Sequence, residues 1–139
     1  MSKTKPHSIP TGEGKEDVYI RRAIIVERLA PLIGTSVPCR AFKGKRVEFL
    51  FASIDETATR ASKRYESTLA ALRIVEALKK AVLVKSDLPH SNKQRKMKFV
   101  RMYELKSELN RIGEVKIMVG ERSRKQYVHY CITQKKDNP

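Results

Sequence analysis

Two histidines, His90 and His129, stand in the body of the chain, and a third, His7, lies near its start. An imidazole can take a proton from a hydroxyl or return one to a leaving oxygen, while lysine or arginine beside it holds a crowded phosphate. His129 sits in an alternating run, Tyr127-Val128-His129-Tyr130-Cys131-Ile132-Thr133, that reads as a strand. Arg101 and Lys116 stand in two further strand-like runs. If the three side chains share one sheet face, they are the catalytic candidates for cutting RNA without a metal. His129 would move the proton, and Arg101 and Lys116 would hold the phosphate.

Other chemistry is not offered. There is no G-x-x-x-x-G-K-[ST] and no G-x-G-x-x-G, so phosphate cradles of those kinds are not expected. Neither H-E-x-x-H nor C-x-x-C occurs, and Cys39 and Cys131 lie far apart, so no metal, cofactor or disulfide framework is expected. Ser86, Asp87 and His90 are close in sequence, but a triad must converge in space. They suit turn chemistry around Pro89, and Cys131 suits a small apolar filler.

Charge points to a polyanion. The 139 residues carry thirty Lys and Arg against fifteen Asp and Glu, a formal net charge of +15. Lys3, Lys5 and Lys15 balance Glu13, Glu16 and Asp17, so the excess falls after residue 17. The stretch 88–125 holds eleven basic and four acidic residues, or +7. Such a field draws in nucleic acid and speeds its encounter. Lys93, Arg95, Lys96 and Lys98 are expected to steer the backbone, and Arg101 and Lys116 to contact it. Tyr103 and Tyr127 would stack unpaired bases. The expected partner is RNA or another nucleic acid, with a metal-independent endoribonuclease as the enzymatic form. The alternative from a different class is a non-catalytic module whose basic face docks an acidic protein.

No apolar run is long enough to cross a membrane, and the first thirty residues lack the apolar region of a secretory signal. A cytoplasmic protein is the expectation; oligomeric state is left open.

The elements that must position these residues follow from periodicity. Residues 1–16, with Pro6, Pro10, Gly12 and Gly14, read as a flexible leader; 17–134 read as a single domain and 135–139 as a flexible tail. Helical spacing runs from Asp17 to Ile33 and stops at Gly34, although Ile24-Ile25-Val26 would also suit a strand. Ser36 to Phe42 and Arg46 to Phe51 read as a hairpin around Gly44. Ser53-Ile54-Asp55-Glu56 has capping-box spacing and predicts a helix to Arg64. Ser67 to Lys80 predicts one continuous helix burying Leu69, Leu72, Val75 and Leu78.

Four strands complete the chain: Ala81 to Lys85, Lys98 to Ser107, Glu114 to Val119 and Gln126 to Gln134. Their short connections favour an antiparallel meander. The predicted class is therefore α+β: helices on a four-stranded antiparallel meander sheet, with an additional N-terminal helix and β-hairpin. Alternation turns Val115, Ile117, Val119, Val128, Tyr130 and Ile132 to the core. Lys116, Met118, Tyr127, His129, Cys131 and Thr133 then face away. In the second strand Val100 and Met102 suit the core and send Arg101 and Tyr103 outward, while Met97, Phe99, Tyr103 and Leu105 form a rival apolar set.

Read in order, the pieces resemble a known group. They are Gly44-Lys45-Arg46-Val47-Glu48-Phe49, then Ser67 to Ala81 running into Val82-Leu83-Val84. Next come Phe99-Val100-Arg101-Met102-Tyr103, then Val115 to Glu121, and finally Tyr127 to Thr133. This order is similar to small α+β domains associated with large polyvalent proteins of phages and conjugative elements. Those in turn resemble the barnase, EndoU, colicin and RelE ribonuclease-like folds. The resemblance implies a mobile-element origin and a site on the open sheet face, where Arg101, Lys116 and His129 would lie. It supplies no second acid or base, and fold analogy is not evidence of a site.

Overall fold

The computed structural model describes residues 9–135. Helix α1 spans Lys15–Leu29 and buries Arg21, Ile24, Ile25 and Leu29, residues spaced to share one side. Pro31 has no N–H to continue the ladder, and the chain tightens into a 3-10 turn at Ala30–Leu32 before Gly34 turns at φ +87°. Strands β1 (Ser36–Pro38) and β2 (Arg46–Glu48) are short, because a 3-10 turn at Arg40–Phe42 swings Phe42 inward between them. Helix α2 (Phe51–Ala61) starts two residues before the predicted cap. Ser53 lies inside it and accepts a hydrogen bond from the Leu50 N–H at 3.0 Å.

The long helix predicted over Ser67 to Lys80 is two helices, α3 (Tyr65–Ala71) and α4 (Ile74–Lys80), broken at Leu72 and Arg73. Arg73 has non-helical backbone, and its guanidinium donates to the Asn110 carbonyl at 2.7 Å and pairs with Glu76. The break also changes which residues pack. Thr68, Ala71, Ile74, Ala77 and Leu78 are buried, and Leu69, Leu72 and Val75 are half-buried, Leu72 and Val75 packing at the margin of the core.

Strand β3 (Val82–Asp87) precedes a short helix α5 (Asn92–Lys96), in the stretch that joins the first two of the four predicted strands. Ser91 caps α5 by accepting from the Gln94 N–H at 3.1 Å. Strands β4 (Arg101–Leu109), β5 (Gly113–Arg122) and β6 (Gln126–Gln134) follow.

The α+β class holds, but the sheet is not the predicted four-stranded antiparallel meander. It has six strands in the order β1-β2-β6-β5-β4-β3 and is mixed. β3 to β6 pair antiparallel in sequence order, whereas β2 joins β6 in parallel, Val47 opposite Tyr127 and Glu48 opposite Val128. The hairpin is thus an integral edge of the sheet. Where β2 ends, α2 and α3 take over beside β6: Gln134 N–H donates to Ser67 Oγ at 2.9 Å and Arg64 donates to the Gln134 carbonyl at 2.8 Å.

The described part of the leader is also fixed. Arg21 is fully buried and donates to the carbonyls of Pro10 (2.8 Å), Gly12 (2.7 Å) and Ser62 (2.9 Å), tying residues 10–12 to α1 and the end of α2. Ile9 is buried as well. The predicted flexibility of residues 1–8 and 136–139 lies outside the described residues.

Candidate nucleic-acid interface

The two sheet faces carry separate cores. Val115, Ile117 and Val119 pack with Leu105, Leu109 and Ile132 under Ile54, Ala58, Ile74 and Leu78 of the helices. On the other face, Met97, Phe99, Met102, Val128, Tyr130 and Cys131 form a smaller cluster. Phe99 can lie there because Gly120 has no side chain; a Cβ on Gly120 would collide with the Phe99 ring. The segment around α5 therefore covers half of this second face. The other half stays open as a groove of about 310 Å³.

Arg60, Lys85, His90, Glu104, Lys116 and Thr133 are among the residues lining that groove. Lys85 lies opposite Glu104, which lies opposite Met118; Lys116 lies between Lys106 and Thr133. Neither Lys85 nor Lys116 has an ion-pair partner among the described residues. Arg60 reaches in from α2, paired with Glu56, its guanidinium 5.3 Å from the centre of the Tyr130 ring. Burial alone would push the Glu56 carboxyl up. Hydrogen bonds from Arg60 and Lys93 outweigh it, with their charges adding, and hold that carboxyl below the usual range.

Of the predicted site residues, Lys116 is exposed and in the groove. The predicted trio does not assemble. Register places Arg101 opposite Glu121 and in phase with Tyr103, Leu105 and Ser107, so it belongs to the helix-covered side and Lys116 to the other. Arg101 is exposed at the end of β4, 3.4 Å from Ser86 Oγ.

His129 is not on an open face. It is fully buried, its Nε2 is 2.6 Å from Thr57 Oγ1 of α2, and its ring tilts against Phe49. The cause is a bulge in β6. Met118 faces Cys131 and Val119 faces His129, which leaves Tyr130 as the extra residue and reverses the alternation. Tyr127 and His129 thereby join Ile132 on the helix side, and Cys131 joins Lys116 and Met118. Burial drives the His129 pKa down to about 3, so the ring stays neutral. Burial likewise pushes the Cys131 thiol up to about 12.

Tyr103 and Tyr127 do not form an open stacking platform. Phe42 stacks on Tyr127 with centroids 4.0 Å apart and meets Tyr103 edge-on at 5.1 Å. Tyr103 donates its hydroxyl proton to Glu121 at 2.6 Å; burial first, then this bond, push its pKa to about 12.

The basic run divides in two. Lys93 is held by Asp55 (3.3 Å) and Glu56 (3.1 Å), which fastens α5 to α2. Arg95, Lys96 and Lys98 are exposed. They approach a second group that sequence reading missed. Arg122 donates to the Met97 carbonyl at 2.8 Å and Val100 N–H to the Glu121 carbonyl at 2.7 Å, bringing this segment against the β5–β6 turn with its exposed Arg124 and Lys125. Lys98, Arg101, Arg122, Arg124 and Lys125 thus gather at one end of the sheet. The wall of the groove, Ser91 and Gln94, belongs to the α5 segment that carries Arg95 and Lys96.

Arg60, Lys85, His90 and Glu104 were also missed as a set. Alternation along β4 marked the outward phase of Glu104 only as a rival, and nothing local connects Arg60 to a sheet face. No family model, curated protein or solved structure matches the chain.

Proposed function

We propose that this domain binds single-stranded nucleic acid, with RNA as the favoured form, across the groove and the basic end of the sheet. The observation that carries the reading is the groove itself. Lys85 and Lys116 line it without carboxylate partners among the described residues, Arg60 flanks it, and α5 leads from it to five gathered cations. Unpaired cations beside a recess can release the counterions of a phosphate backbone, and acceptors such as Glu104 and Thr133 can meet a ribose 2′-hydroxyl.

The test is fluorescence anisotropy of a single-stranded RNA at several salt concentrations. Affinity is expected to fall steeply between about 50 and about 200 mM salt, and Lys116→Ala to lower the log–log slope by about 0.7. An affinity indifferent to salt, or to Lys116→Glu, would overturn it.

A second reading, cleavage at the same place, is favoured by His90 and Glu104 lining one recess with three cations. Glu104 would take the 2′-hydroxyl proton as the 2′-oxygen bonds to phosphorus. The bond from phosphorus to the 5′-oxygen would break, and protonated His90 would supply that oxygen's proton. The products are a 2′,3′-cyclic phosphate and a 5′-hydroxyl. Cleavage should survive EDTA, be lost in His90→Ala and Glu104→Gln, and persist in folded His129→Gln. RNA left intact by pure protein refutes this reading and leaves binding standing.

A further inference from the structure

β3 is an edge strand, with β4 as its only strand neighbour among the described residues. Edge strands are normally kept short, charged or covered, because their free N–H and C=O groups invite another strand. This one is six residues long and exposed from Leu83 to Asp87. Leu83 is 48 % exposed, Val84 46 % and Leu88, just beyond, 64 %, three of the eight large exposed hydrophobics among the described residues. A fourth, Val100 at 53 %, precedes β4 at the end of the pair where Asp87 faces Met102.

Basic side chains predominate along this edge. Lys79 and Lys80 close α4 just before β3, Lys85 stands within it, and Arg101 lies across from its far end, contacting Ser86. Asp87, the one carboxylate in the strand, accepts a hydrogen bond from the Leu88 N–H at 2.8 Å. A second copy would bring another chain of formal net charge +15 against this one. A partner with the opposite charge gains where the copy loses.

We infer that β3 is a docking edge for an extended acidic segment of another protein, which adds a seventh strand to the sheet. Main-chain hydrogen bonds supply the pairing, Leu83, Val84 and Leu88 receive apolar side chains, and Lys85 and Arg101 face carboxylates. The bulge at Val84 restricts which register fits, since it is the extra residue between the pairs Leu83–Leu105 and Lys85–Glu104. Nucleic-acid binding in the groove is not required for this edge to work.

The probe is a short capped peptide alternating valine and glutamate, titrated into the 15N-labelled full chain. Its controls are the same peptide N-methylated at alternate amides and the valine–lysine counterpart. Chemical shifts should move along 82–88, with slowed exchange of β3 amides that are fast in the free protein. Leu88→Glu and Lys85→Glu, both at exposed positions, should each weaken binding at least tenfold and leave RNA affinity in Leu88→Glu unchanged. The N-methylated and lysine peptides should not bind. Shifts confined to the groove, or equal binding of the N-methylated peptide, would overturn the inference. A concentration-dependent dimer abolished by Leu83→Lys would overturn it too, in favour of a second copy.

Discussion

Acidification should destabilise this fold through His129. The ring is fully buried, bonded to Thr57 through Nε2, and its Nδ1 has no partner among the described residues. Protonation would place a charge in the core without a counter-ion, so the native state refuses the proton until about pH 3, against 6.5 for an exposed ring. The folded pKa lies below the unfolded one, so the unfolded chain binds the extra proton. Stability is full above the unfolded value and falls as pH drops toward the folded one. Integrating between those two values gives a loss of about 1 kcal/mol at about pH 6 and about 2 kcal/mol at about pH 5, relative to pH 8. In a domain of this size that is a melting-temperature drop of about 6–8 °C.

The assay is urea denaturation followed by circular dichroism in steps from about pH 8 to about pH 5, on the native chain and on His129→Gln. Glutamine keeps a polar group near Thr57 and cannot titrate, so the variant should be less stable at pH 8 yet nearly flat across the window. Glu56 does not confuse the result. Its pKa is lowered, so its contribution is lost only as pH falls from 4.5 toward that lower folded value. A native chain that loses less than about 0.5 kcal/mol by about pH 5, or a variant with the same slope, would refute the reasoning.

Gly120→Ala should cost at least about 2 kcal/mol, since the new methyl must push Phe99 off the sheet, and Phe99→Leu in the same background should recover part of it by urea denaturation. Arg21→Leu leaves the carbonyls of Pro10, Gly12 and Ser62 without their donor and should cost at least about 3 kcal/mol, with early proteolysis near residues 10–12 as the structural readout. Glu121→Gln removes the charge that Tyr103 faces, and ultraviolet titration should show a tyrosine pKa moving down from about 12. Cys131, with its thiol pushed up to about 12 by burial, and the buried Cys39 should both ignore a disulfide reagent at neutral pH until urea unfolds the chain.

Much of the fold is legible in local pattern. Val115, Ile117 and Val119 alternate cleanly and do line the main core, and the order of helices and strands follows from period and turn residues. Two features lie beyond local pattern for physical reasons. Breaking the helix at Leu72 and Arg73 depends on the Asn110 carbonyl, thirty-seven residues away and met only after folding. The parallel pairing of β2 with β6 joins residues about eighty apart, and no periodicity within either strand encodes its neighbour.

The candidate site failed at two places: β4 follows the rival apolar set, which takes Arg101 and Tyr103 to the helix side, and β6 carries a bulge. Strict alternation over 127–133 puts Tyr127, His129, Cys131 and Thr133 together, and the bulge at Tyr130 separates the first two from the last two. Tyr130 itself was assigned to the core and is buried, but against Phe99 on the second face. A sheet buried on both faces has apolar residues in both phases, so hydrophobic pattern cannot reveal where the phase slips. Charge can. Lys116 has no apolar role on either side, and it is the one member of the predicted trio that stands in the groove. In a sheet packed on both sides, lysines and glutamates in register, such as Lys85 beside Glu104 and Lys106 beside Lys116, mark the open half more reliably than the aromatic and histidine residues that first suggested chemistry.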